Sequence, residues 1–217
     1  MYKAVVFDMD GVIFDSEKMI LDIWVDLGKR YDIPNIEENM YKCLGVNAVE
    51  TKQIFLRAYG EDFPYDTYTK EVSRRYHAMA DGGELPMKPG VVELLSFLKE
   101  NGYIIGLASS TREACVRQEL TDAGIIEYFQ ELACGDMLKK SKPEPDIYLM
   151  ACEKLGVAPQ DAIAIEDSFN GIRSAHAAGM TPIMVPDIIQ PNDEMKEKSH
   201  KIFASLIEVK AWLETMK

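Results

Sequence analysis

Long apolar runs are missing from this 217-residue chain, and none of its hydrophobic stretches approaches the ~20 residues that a membrane-spanning helix requires. Positive charge is also in short supply. With 24 Lys and Arg against 36 Asp and Glu, the formal net charge is −12, which opposes non-specific binding to nucleic acid or an anionic membrane. An anionic ligand must therefore be met by local positive groups. Histidine is scarce, and His77, His176 and His200 are scattered without an evident partner, so they read as surface or core residues. The four cysteines, Cys43, Cys115, Cys134 and Cys152, lack metal-type spacing and sit in apolar or helical surroundings, as reduced packing residues do. The first residues show neither a basic n-region nor an apolar h-region, so the expectation is a cytoplasmic protein. Internal repeats and low-complexity tracts are absent, and 47% hydrophobic content suffices for a sizeable core in one domain or two.

What is present begins at residues 4–13, AVVFDMDGVI, a buried-type apolar run ending in two aspartates two residues apart and a glycine. If Ala4 to Phe7 form a strand, Asp8 and Asp10 leave its carboxyl end aimed into one pocket. Two carboxylates that close repel each other. A hard divalent cation relieves the repulsion, and so does protonation of one partner, which makes it a general acid. Gly11 permits a sharp turn where backbone N–H groups approach an anion.

Three later segments bear on this reading. Residues 106–112, GLASSTR, follow an apolar run and read as strand, hydroxyl-rich turn and helix N-terminus. Such a turn offers Ser109 Oγ, with Ser110 beside it, to an anion, although an ordinary Ser/Thr cap is the competing reading. In residues 139–146, KKSKPEPD, the two prolines stiffen the chain around Lys142, whereas Lys139 and Lys140 read as a solvated basic loop. Residues 162–171, AIAIEDSFNG, again end an apolar strand in adjacent acids before a helix with Ser168 as N-cap. Asp167 is the candidate third metal ligand. Glu166 is a possible further ligand or a supporting group, and Asn170 fits a capping role equally well. Apolar strands that deliver polar groups at their carboxyl ends, separated by helices, form a ligand-binding edge in an open α/β sheet.

In their order and combination, DMDGV, ASS, KPEPD and EDS resemble the haloacid dehalogenase superfamily of aspartate-nucleophile phosphohydrolases, in particular its phosphatase and β-phosphoglucomutase-like subgroup. The resemblance spans nearly the whole chain. It implies that Asp8 is the nucleophile forming an aspartyl phosphate and Asp10 the general acid and base. Ser109, Ser110 and Lys142 would bind the phosphoryl group. Mg²⁺ would sit between the Asp8 carboxylate, the Asp10 backbone carbonyl, Asp167 and a phosphate oxygen, with Glu166 as a further possible ligand.

The alternation of strands and helices predicts a mostly parallel, Rossmann-like three-layer α/β core. Strands are expected at 4–7, 103–107, 131–134, 162–166 and 181–185, and helices at 91–100, 112–123, 146–155, 168–178 and 206–216. Residues 16–83 differ in texture. Ile20, Ile23, Trp24 and Leu27 form one apolar stripe, while Met40, Tyr41 and Leu44, then Ile54, Phe55 and Ala58, mark further helices. They predict an all-helical cap inserted into a core of residues 1–15 and 84–217, with hinges near Phe14–Ser16 and Asp81–Pro89. A cap of this kind excludes water during transfer and reopens for release.

The expected activity is Mg²⁺-dependent hydrolysis of a small phosphomonoester, a sugar or sugar-alcohol phosphate, by a monomer. β-Phosphoglucomutases carry a histidine and an arginine in the cap where this chain aligns Ile20 and Ala48, which ranks hydrolysis above the mutase reaction. Lys52, Arg74 and Arg75 are candidate substitutes, and Arg112 is a further local positive charge. A phospho-accepting signalling module needs the same acids, hydroxyl, lysine and Mg²⁺. Asp10, which empties the phosphoaspartate, and the cap argue against it.

Overall fold

The computed structural model describes residues 2–216. Its centre is a sheet of six parallel strands, β1 Ala4–Phe7, β2 Ile104–Ser109, β3 Glu131–Cys134, β4 Ala162–Glu166, β5 Thr181–Met184 and β6 Lys201–Ile202, in the order β3-β2-β1-β4-β5-β6. The short, continuously apolar strands mark a sheet covered on both faces. Alternation shows how it is covered. Val5 and Phe7 join the larger core with Ile105, Leu107, Ile163 and Ile165, while Ala4 and Val6 join a second core with Ala108, Ala164, Ile147 and Tyr148. Helices α5 Val91–Glu100, α6 Glu113–Asp122 and α10 Leu206–Glu214 pack on the first face, and α7 Asp146–Leu155 and α8 Phe169–Ala177 on the second.

Between β1 and α5 lie four helices, α1 Ser16–Arg30, α2 Ile36–Tyr41, α3 Ala48–Tyr59 and α4 Tyr65–Ala80. Their centre is aromatic. Trp24 of α1 packs on Phe55 of α3 at 4.6 Å between ring centroids, and Phe55 also meets Tyr59, Phe63 and Tyr65. The two chain crossings that join this insert to the sheet run side by side: Asp15 N donates to Pro86 O, Lys88 N donates to Ile13 O, and Phe14 bridges Met87.

Most expected boundaries coincide with the observed ones and the others differ by a residue or two, and two differences are structural. Strand β2 runs through Ser109, because Ser109 pairs with Cys134 on β3, so this hydroxyl sits at the end of a strand and not in a turn. The helix α9 Asp193–Lys198, capped by Asn192, and the two-residue β6 occupy a polar segment without apolar periodicity and went unpredicted. The four cysteines are free, and burial pushes the thiols of Cys43, Cys134 and Cys152 up to about 12, 11 and 11, as expected of packing residues.

Trp24 is 3% exposed and holds the aromatic centre of the insert. Trp24→Ala is expected to cost roughly 3–5 kcal/mol in urea denaturation. A loss below about 1 kcal/mol would mean that this centre does not hold the insert together.

Candidate active site

The register of the sheet assembles the site. Phe7 pairs with Leu107 on one side and Ile165 on the other, so the next residue, Asp8, emerges between Ala108 and Glu166. Asp8 N donates to Ile165 O at 2.9 Å, which extends the ladder one step beyond the strand. The chain then runs outward along β2 and β3 on one side and along β4, β5 and β6 on the other. The boundary between β1 and β4 is thus a topological switch point, the usual crevice for ligands in such sheets.

Lys142 is the hub of this crevice. It comes from the loop before α7, is 1% exposed, and donates at 2.6 Å to Asp8 Oδ1, at 2.6 Å to Glu166 Oε1 and at 3.1 Å to Ala108 O. Glu166 in turn accepts from Tyr148 OH at 2.7 Å and from Ser168 N and Oγ. The space is closed by Gly171, where a Cβ would fall 1.9 Å from Glu166 Cδ. Glu166 is therefore fully used in holding Lys142 and the start of α8. Burial opposes the Lys142 charge, but the Asp8 and Glu166 carboxylates outweigh it and hold the ammonium above its ordinary value. Burial pushes the Asp8 carboxyl up to about 8, against the pull of Lys142 and with the help of the Glu166 and Asp10 charges.

Asp10 is held separately. Ser16 Oγ donates to its Oδ1 at 2.5 Å and Thr111 Oγ1 to its Oδ2 at 2.9 Å, which ties this carboxylate to the first residue of α1 and to the loop after β2. Ser109 is fully buried, and its Oγ accepts from Thr111 N at 3.0 Å. Ser110 Oγ approaches Gly45 O of the insert at 3.4 Å, and Asn170 Nδ2 donates to Leu44 O at 3.2 Å, so both bridge insert and core. Ser168 is the N-cap of α8, accepting from Gly171 N.

The donor set suits a hard divalent cation. Oxygens of Asp8, Glu166 and Asp167 lie within 4.8 Å of one another, Asp167 is 3% exposed, and its Oδ1 is buried with no hydrogen-bond partner among the described residues. Gly11, at φ +80°, permits this approach. A Cβ there would lie 2.4 Å from Asp167 Oδ2. Burial, and next the Glu17 charge, raise the Asp167 carboxyl well above the usual range.

A cleft of about 910 Å³ opens between insert and core, lined by Ala48, Ile54 and Arg57 on one side and Ser110, Arg112, Lys142 and Asn170 on the other. The candidate substitutes for the missing mutase arginine lie elsewhere. Lys52 pairs with Asp66, Arg74 with Glu71, and the partly buried Arg75 with Glu71 and Asp26, the two arginines lining a separate groove between α1 and α4. Ile20 packs against the core.

The model of the haloacid dehalogenase-like hydrolase family matches residues 5–185. The chain belongs to this family. Among the relatives of this hydrolase, a phosphorylated carbohydrates phosphatase of Thermotoga maritima is 31% identical over 181 residues, covering 83% of each chain. A β-phosphoglucomutase of Bacillus subtilis is 34% identical over 189 residues, covering 84% of this chain and 83% of its own. The crystal structure of CbbY from Rhodobacter sphaeroides in complex with phosphate superposes with a TM-score of 0.80 at 26% identity, over 96% of each chain. The hydrolase is thus a phosphohydrolase on the α/β fold of its family, with an acidic cluster able to hold a divalent metal.

Several residues that shape the site carry no local signal in the sequence. Thr111 and Ser16 look like turn and cap residues, Tyr148 like an apolar helix position, and Glu17 and Asp187 like surface acids. Glu119 of α6 is another. It accepts from Tyr76 OH of α4 at 3.0 Å and so links insert to core. Burial, and next the Asp10 charge, push the Glu119 carboxyl up to about 7 from its ordinary 4.5. Because the folded state binds this proton more tightly than the unfolded state, the stabilisation is complete below pH 4.5 and is lost as the pH rises to about 7. Glu119→Gln is expected to flatten that part of the stability profile in urea titrations at a series of pH values. An unchanged slope would show that the carboxyl titrates normally.

Proposed function

We propose that this hydrolase is a Mg²⁺-dependent phosphatase acting on a phosphorylated sugar or sugar alcohol through an aspartyl phosphate on Asp8, with residues 16–83 serving as a mobile cap over a core of residues 1–15 and 84–217. The observation that carries this reading is the pairing of a buried carboxylate, Asp8, held by the Lys142 ammonium at 2.6 Å, with a second carboxylate, Asp10, held apart by Ser16 and Thr111. The Lys142 ammonium beside Asp8 and the hydroxyl donors around Asp10 support the roles that the family resemblance implies, nucleophile for the first and proton carrier for the second.

In the first displacement an Asp8 carboxylate oxygen bonds to phosphorus, the bond to the sugar oxygen breaks, and Asp10 gives its proton to that oxygen. In the second, a water attacks phosphorus and yields its proton to Asp10, the Asp8–phosphorus bond breaks, and inorganic phosphate leaves. Lys142, with Ser109 and Ser110, orients the phosphoryl oxygens and offsets their charge, which is where catalysis of this kind mostly lies. Asp8, Asp167 and the Asp10 carbonyl would hold Mg²⁺, with Glu166 behind them, and a bound ion would further neutralise the phosphoryl group and keep Asp8 ionised. The substrate class rests on the phosphatase and mutase relatives. Hydrolysis ranks above the mutase reaction because apolar Ala48 lines the cleft where the mutases carry arginine.

Phosphate release from a panel of sugar and sugar-alcohol phosphates, with and without Mg²⁺, tests the reading. Asp8→Asn is expected to lower the rate by roughly 10⁴-fold or more, with circular dichroism unchanged. Appreciable residual turnover would place the nucleophile elsewhere. Asp167→Ala is expected to raise the Mg²⁺ concentration needed for half-maximal activity at least about tenfold, and an unaltered metal requirement would remove Asp167 from the ligand set. Glucose 1-phosphate supplied with a bisphosphate primer is expected to yield free phosphate and not glucose 6-phosphate. Efficient isomerisation would favour the mutase.

A further inference from the structure

Beside the nucleophile, three carboxylates converge from distant parts of the chain. Glu17 comes from the first turn of α1, Asp167 follows β4, and Asp187 lies three residues past β5. Glu17 Oε2, Asp167 Oδ1 and Asp187 Oδ2 are all buried, and none has a hydrogen-bond partner among the described residues. Oxygens of the three side chains lie within 4.8 Å of one another. Asp187 is fixed from its other side, where Lys88 donates to its Oδ1 and, at 3.1 Å, to Asp15 Oδ1. Three carboxylates held face to face, each with a buried oxygen left unpaired among the described residues, make a set of oxygen donors that suits a hard divalent ion.

The charge balance points the same way. Asp8, Glu166, Asp167, Glu17, Asp187 and Asp15 form one connected series of carboxylates, joined only by the ammonium groups of Lys142 and Lys88. With all six ionised, as cation binding requires, six acids against two bases leave an excess of four negative charges, to which the nearby Asp10 carboxylate adds. One divalent ion between Asp8 and Asp167 removes half of that excess, and an arriving phosphate dianion would meet the other half. A second divalent ion cancels it.

We propose that Glu17, Asp167 and Asp187 form a second divalent-cation site, adjoining the first through the shared carboxylate of Asp167. The site joins α1 of the insert to the loop after β5 of the core, so its ion fastens one to the other as well as balancing charge.

Mn²⁺ serves as the probe on the full chain, counted by paramagnetic resonance of the free ion during titration. The expected result is two Mn²⁺ per wild-type chain, one in Asp187→Asn, one in Glu17→Gln, and one retained in Asp8→Asn. Circular dichroism in EDTA selects variants that fold. Glu17→Gln carries the test if Asp187→Asn, deprived of its Lys88 partner, does not. A single ion in the wild type overturns the proposal, and so does a full pair in both variants. If the wild type holds one ion that both variants merely bind more weakly, the three acids serve the first site and the second does not exist.

Discussion

The buried ammonium of Lys142 is the constraint on which the rest of this site depends. It reaches a place that is almost wholly dry and is held there by two carboxylates and a backbone carbonyl. Desolvating such a group costs several kcal/mol per ion, and Coulomb attraction compensates only where every remaining donor and acceptor is matched. That requirement explains the surroundings. Tyr148 and Ser168 satisfy the free valences of Glu166, Gly171 clears the space for it, and the parallel register brings Asp8 and Glu166 to the same level on neighbouring strands. Removing Lys142 would leave two buried carboxylates facing each other without their counter-ion, and breaking a buried ion pair in this way typically costs about 3–5 kcal/mol. A hydrophobic replacement of the same volume would serve stability as well or better. The triad therefore fits a role in which a fixed positive charge at Asp8 matters more than its contribution to folding.

A strongly acidic chain that binds a phosphate dianion must concentrate its few cations. The surface lysines and arginines of the insert are spent on neighbouring acids: Lys52 on Asp66, Arg57 on Glu50, and Arg74 and Arg75 on Glu71. Such exposed pairs contribute little to stability, at most about 1 kcal/mol each. Two lysines are placed differently. Lys142 and Lys88 stand within the series of acids around Asp8, where low dielectric makes each charge count for more. Local arrangement, and not net charge, decides whether an anion is admitted.

Much of the core was legible in the sequence because its signals are local. An apolar run that stops at Asp8, or at Glu166 and Asp167, announces both a strand and what its carboxyl end presents. The prolines around Lys142 and the cap at Ser168 follow from single-residue chemistry. What escaped depends on tertiary approach. Thr111 and Ser16 meet only because both oxygens of Asp10 lie between them. Tyr148 reads as one more apolar position until Glu166 is placed beneath its hydroxyl, and Asp187 reads as a loop acid until α1 brings Glu17 against it. Strand β6 and helix α9 were missed for a different reason. Their polar residues carry no periodicity, and β6 exists only because the exposed edge of β5 accepts it.

Substrate choice is the least legible layer, and the geometry shows why. The cleft takes its walls from two bodies of sequence, Ala48, Ile54 and Arg57 on the insert and Ser110, Arg112 and Asn170 on the core, and its width depends on how one lies against the other. A handful of polar contacts sets that relation: Ser110 to Gly45 O, Asn170 to Leu44 O, and Tyr76 to Glu119. Each is worth about 1 kcal/mol net, so no single one of them fixes how the insert lies on the core. Two chains with identical strand-end chemistry can therefore differ in what they admit through a few side chains that no local pattern marks. The family relationship fixes the reaction far more tightly than it fixes the molecule that undergoes it.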